Sequence, residues 1–130
     1  MRHFIAYHNE QKMGYSCVAI PEPRAKTGKA VDGLEGVTVW LIAGEGKSPK
    51  SFFLAANFVA DTCQTDLYPG TDLPNQISGI GSLFGKTLPM NGSPLLSILR
   101  KCTATFIGFT ELRNREAIAG LDRLAKCSAP

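Results

Sequence analysis

At 130 residues the chain fits a single domain, residues 1–130, long enough to bury a real core. Its composition, 44% hydrophobic and 19% charged, is that of an ordinary globular protein, and no apolar run approaches the roughly 20 residues needed to span a bilayer. The net charge of +3, from 14 basic and 11 acidic residues, suits a nucleic-acid partner but equally suits a plain soluble surface.

His3 to His8 reads as a first strand, with His3, Ile5 and Tyr7 on one side and Phe4, Ala6 and His8 on the other. A long connection follows, Asn9 to Gly36, broken by glycines and prolines and made basic by Arg24, Lys26 and Lys29. Met13, Tyr15 and Ile20 favour an ordered, partly packed course for it, and Asp32-Gly33-Leu34-Glu35-Gly36 is a tight turn at its end.

Val37 to Asp61 is the organising hairpin. Val37–Ile42 and Phe52–Val59 are rich in β-branched and aromatic residues, and Gly44 to Lys50 between them has turn chemistry. Val37, Val39 and Leu41 oppose Thr38, Trp40 and Ile42, and simple alternation puts Phe52, Leu54, Ala56 and Phe58 on one face. Both faces are largely apolar, so one should line a sheet core or barrel interior while the other lies under a helix or long loops.

Thr62 to Gly92 reads as a second irregular stretch, pinned to the body by Ile77, Ile80, Leu83, Phe84 and Leu88. Ser93 as N-cap and Pro94 at the first position predict a helix to Thr103. Thr105 to Leu112 predicts a last strand, and Asn114 caps a helix over Arg115–Lys126. The fold class expected is α+β.

Four cysteines, Cys17, Cys63, Cys102 and Cys127, have wide spacings without a CxxC pair, which predicts neither a zinc site nor a disulfide. With no secretory leader pattern, a cytoplasmic protein without a membrane association or a cofactor is expected. Gly79-Ile80-Gly81-Ser82-Leu83-Phe84-Gly85 lacks the spacing of a phosphate-binding loop. His3 and His8 lie on opposite strand faces and cannot share a metal, and no acidic pair of hydrolase type is visible. A pairing of Cys17 with His8 is sterically feasible, though nothing selects it.

Tyr7-His8-Asn9 and Met13-Gly14-Tyr15 assemble two phenol rings, an imidazole and an amide near one strand end. Such groups clasp a planar base, the rings on its face and the amide on its edge; they are equally ordinary core-edge residues. Trp40 is a core ring unless it borders an opening, and Asn57, polar within an apolar strand, is a structural bridge or a pocket group.

FIAYHNEQKMGYS (residues 4–16) and DGLEGVTVWLIAGEGKSPKSFFLAANFVAD (residues 32–61) together resemble the PUA-like superfamily, the group containing EVE, ASCH and YTH domains. They are similar to the small bacterial members found alone or attached to HNH-type nucleases. The resemblance covers residue 2 to about residue 61. It implies a twisted, mostly antiparallel β-barrel with flanking helices, and a non-catalytic pocket for a base, plain or modified, in DNA or RNA. Carried onto this chain, the pocket residues are Tyr7, His8, Asn9, Tyr15 and Trp40, with Asn57 beside them. Arg24, Lys26, Lys29, Lys47, Lys50 and Lys86 are expected to hold the nucleic-acid backbone, and a nuclease is a candidate partner. The chain has one tryptophan, so the tryptophan cage of YTH domains is not reproduced. Two alternatives stand beside this reading: a protein-docking module acting through residues 62–92, and a small hydrolase or nuclease.

Overall fold

A computed structural model describes residues 2–9, 13, 20–46, 50–103 and 109–127. Among the described residues, six strands and two helices follow in the order β1 (His3–Asn9), β2 (Arg24–Thr27), β3 (Thr38–Glu45), β4 (Ser51–Gln64), β5 (Asn75–Leu83), α1 (Pro94–Cys102), β6 (Thr110–Leu112) and α2 (Arg115–Lys126). The strands form one sheet in the order β2-β5-β4-β3-β1-β6. β3, β4 and β5 make an antiparallel meander, whereas β1 runs parallel to β3. A parallel neighbour requires a crossover, which explains the length of the connection between β1 and β3.

The architecture is therefore α+β, and the expected antiparallel barrel is corrected to an open sheet. β6 occupies the edge of β1 at His3–Ile5, and among the described residues β2 pairs only with β5. The sheet still curls enough to bring β2 close to β1 without a hydrogen-bonded ladder.

Both sheet faces are buried, as the apolar hairpin requires. One core gathers Phe4, Ala6, Val39, Leu41, Phe58 and Ile77 beneath Ile20, Val31 and Leu34 from the β1–β3 connection. The other holds Ile5, Trp40, Ile42, Phe52 and Leu54 beneath Leu96 and Leu99 of α1 and Ala117 and Leu121 of α2. Each large side chain so buried contributes about 1.5–3 kcal/mol relative to exposure. The helices start where their caps predict: Ser93 Oγ accepts from Leu95 N at 3.2 Å, and Asn114 Oδ1 accepts from Ala117 N at 3.0 Å.

Simple alternation fails within β4. Leu41 pairs with Ala56 but Ile42 pairs with Leu54, so Ala55 is an extra residue, a β-bulge. Phe52 and Leu54 therefore face the helices, whereas Ala56 and Phe58 join the opposite core. Asn57, directly opposite Trp40, lies on the helix-covered side.

The stretch 62–92 is more regular than expected: β4 runs to Gln64, and Asn75–Leu83 is a nine-residue strand. Ile77 and Leu88 anchor it, but Ile80 and Leu83 are 78% and 44% exposed and pin nothing. In β5, Ile80, opposite Val59, is on the helix side beyond its cover, whereas Leu83, opposite Ala56, is on the other face. The glycine run 79–85 lies mostly in this strand, which removes the phosphate-loop geometry. Of the expected last strand, Thr105 to Leu112, the described part is a strand only at Thr110–Leu112; Phe109 precedes it, and 105–108 lie outside the described residues.

Candidate functional site

The base pocket expected from the sequence is divided between two places. Tyr7 and His8 border a cavity of about 10 Å³ with Met13, Ile20, Arg24, Ala25, Lys26 and Leu41, where the curled β2 approaches β1. That volume is the room of about one water, so a base does not enter it. His8 is buried at 4% exposure on this side. The Tyr7 ring lies on the other side, tilted against Phe52 and over Gly44, where the absence of a Cβ makes room for its hydroxyl. Burial raises the Tyr7 phenol above its ordinary pKa, against the pull of Arg100. Asn9 ends β1 opposite Gly44, half-buried. Tyr15, Cys17 and Lys47 lie outside the described residues.

Trp40 instead borders a cavity of about 340 Å³, together with His3, Arg115, Ile118, Ala119 and Asp122. This is within the range of small-ligand clefts. Parallel pairing of β1 with β3 sets Ile5 beside Trp40 and brings His3 diagonally next to it. Trp40 Nε1 donates to His3 Nδ1 at 3.1 Å, and the two rings lie edge to edge and nearly coplanar, with centroids 6.2 Å apart and planes 16° apart. The bond assigns the proton of the neutral imidazole to Nε2. Burial lowers the His3 pKa, the N-terminal charge lowers it further, and Asp122 opposes both. Trp40 itself is 2% exposed, so His3 supplies most of the ring surface at the opening.

The far wall is α2. Arg115, Ile118, Ala119 and Asp122 recur at helical spacing, one stripe beside the buried Ala117, Gly120 and Leu121. Sequence reasoning reads Ile118, Leu121 and Leu124 or Ala125 as the buried face of this helix and assigns no site residue to it. The signal of the cavity stripe was present, a cation and an anion seven residues apart with apolar residues between them. His3 was weighed only as a metal ligand, because the parallel register that places it over Trp40 is not readable locally.

On the opposite face of the sheet, the one Phe4 takes, the β1–β6 edge is held by charge. Glu111 of β6 accepts from Arg2 Nε at 3.2 Å and Nη2 at 3.0 Å, and from Arg113 Nη2 at 3.3 Å. The hydrogen bond from Arg2 is the largest cause holding the Glu111 carboxyl down at about 2. Of the basic residues expected to hold a nucleic-acid backbone, Arg24 and Lys26 belong to β2, at the opposite edge of the sheet, with Lys29 just beyond. Lys26 lies over the Tyr68 ring at 4.2 Å, and Lys86 pairs with the buried Glu45 at 2.6 Å. Lys50 precedes β4, where its carbonyl accepts from Asn91 Nδ2 at 2.9 Å.

Cys63, Cys102 and Cys127 are free thiols. Burial, then a hydrogen bond with Glu35, pushes the Cys63 thiol up to about 11, the reverse of what a nucleophile needs. Among the described residues no group of three His, Cys, Asp or Glu gathers at metal-binding distance. No described helix is long and apolar enough to cross a membrane. Compared with protein-family models, with curated proteins and with solved structures, the chain matches none.

Proposed function

We propose that this chain is a nucleic-acid-binding domain of PUA-like kind that takes a base, without catalysis, into the cavity between the His3–Trp40 ring pair and α2. The observation that carries the reading is that cavity: about 340 Å³, walled by a hydrogen-bonded, nearly coplanar imidazole–indole pair and flanked by Arg115 and Asp122. An imidazole fixed in tautomer and plane is a stacking surface for a base, and stacking contributes roughly 1–3 kcal/mol per base. The curl that brings β2 towards β1 supports the PUA-like reading of the sheet. Arg115 is the basic side chain that borders this cavity, and it can meet a phosphate there.

The test is a titration of labelled single-stranded oligonucleotides, plain and modified, at two salt concentrations, on the wild type and on His3→Ala. Affinity should fall with salt through counterion release, and loss of the His3 ring should weaken binding by about five- to tenfold, the low end of the stacking range. Binding no tighter than roughly 10⁻⁴ M, the weak end of non-specific association, removes the reading.

One observation favours a protein-docking module instead. Val59 and Ile80 are register neighbours on one face of β4 and β5, 44% and 78% exposed. Failure of every oligonucleotide would leave this apolar strip as the surface that distinguishes the molecule.

A further inference from the structure

We propose that the cavity holds a nucleotide lengthwise along α2, its phosphate at Arg115 and the amino-bearing edge of its base at Asp122. The inference rests on the base-binding reading above and adds to it an orientation and a ligand class.

Arg115, Ile118, Ala119 and Asp122 occupy positions i, i+3, i+4 and i+7 of one helix, and all four border the cavity. At 1.5 Å of rise per residue, Arg115 and Asp122 stand about 10 Å apart along the axis. Along this wall the chemistry changes from cationic to apolar to anionic, and the opposite wall offers the His3–Trp40 rings. The complementary ligand is an anion at one end, a flat body with apolar faces in the middle, and hydrogen-bond donors at the other. A mononucleotide has that order of groups over a comparable span.

The assignment of the ends follows from what each side chain can do. A guanidinium has only donors and meets phosphate oxygens. An ionised carboxylate has only acceptors and meets N–H groups. Lys126 Nζ engages Asp122 Oδ2 at 3.2 Å in an exposed pair, a contact of small worth that a ligand amine can replace or share. Adenine, cytosine and guanine present an exocyclic amine; uracil and thymine would turn a carbonyl oxygen towards the carboxylate and be repelled. Selectivity for amino-bearing bases is therefore built into the wall.

Isothermal titration with CMP, UMP, cytidine and uridine, on the wild type, Arg115→Ala and Asp122→Asn, tests the proposal. Both substitutions are on exposed helix positions, and circular dichroism verifies that the fold is kept. The wild type should bind CMP about tenfold more tightly than UMP, the discrimination of one good edge contact. Asp122→Asn should reduce that preference to about twofold or less, and Arg115→Ala should weaken CMP about tenfold while leaving cytidine nearly unchanged. Equal binding of CMP and UMP, or CMP affinity indifferent to Arg115→Ala, would overturn the orientation. If oligonucleotides still bound in a manner dependent on His3, the base-binding reading would survive that result. If neither nucleotides nor oligonucleotides bound, both would fall.

Discussion

Protonating His3 breaks the hydrogen bond that Trp40 donates to it, because Nδ1 cannot accept once it carries a proton. Burial has already moved the His3 pKa below the 6.5 of a free imidazole. The unfolded chain therefore binds the proton first as pH falls. The stability contributed by the neutral ring is present above pH 6.5 and is lost as pH drops through the lower folded value. Trp40 is the sole tryptophan, so its fluorescence should follow a titration with its midpoint below 6.5, and His3→Phe should abolish the step. A midpoint above 6.5, or a step that persists in His3→Phe, contradicts this arrangement. Trp40 was legible as a ring of interest, but its nearly complete burial changes what mutation can show. Trp40→Ala removes core volume at about 3–5 kcal/mol, so it measures folding before binding, and the more exposed ring of the pair, His3, is the informative position.

At the scale of elements, the two helices were legible from their caps and stripes, and the central hairpin from its β-branched and aromatic runs. β5 was not, because Gly79 and Gly81 look like loop residues. They are required in the strand. A Cβ on Gly79 would meet the Val59 carbonyl, and one on Gly81 would meet the Asn57 carbonyl and the Phe58 Cα, all backbone atoms of β4 that cannot swing aside. Gly81→Ala should therefore destabilise the fold by about 1–3 kcal/mol, the usual cost of overpacking. The adjacent, exposed Ser82→Ala should change stability by no more than about 0.5 kcal/mol. Urea midpoints of the two variants decide it, and equal midpoints would show that β5 is looser against β4 than these contacts imply.

At the scale of the molecule, what escaped the sequence was the strand order. A parallel β1–β3 pair places the start of β1 beside the start of β3, and so joins His3 to Trp40 across 37 residues of chain. Local patterns carry which face a side chain takes but not which strand stands next to it. Nearness in sequence groups Tyr7 and His8 with Trp40, yet His8 faces the opposite side of the sheet and neither residue borders the cavity at Trp40. The same order separates the basic β2 edge from the cavity under α2, so the positive charge of the chain is not concentrated at one place.

The extra residue Ala55 lets a single strand be read in two phases, much as an inserted letter shifts the reading of a text. Before it, even-numbered side chains of β4 go to the helices; after it, they go to the opposite core. Removing Ala55 would restore unbroken alternation and exchange the destinations of everything on one side of the cut. Phe58 would then be driven towards the helices and Asn57 into the dry interior it now avoids, where an amide without partners costs about 1–3 kcal/mol in addition to the lost packing. The deletion should yield no cooperative thermal transition, whereas Ala55→Gly, which keeps the count of residues, should still melt cooperatively. The length of this strand is as much a part of its meaning as its composition.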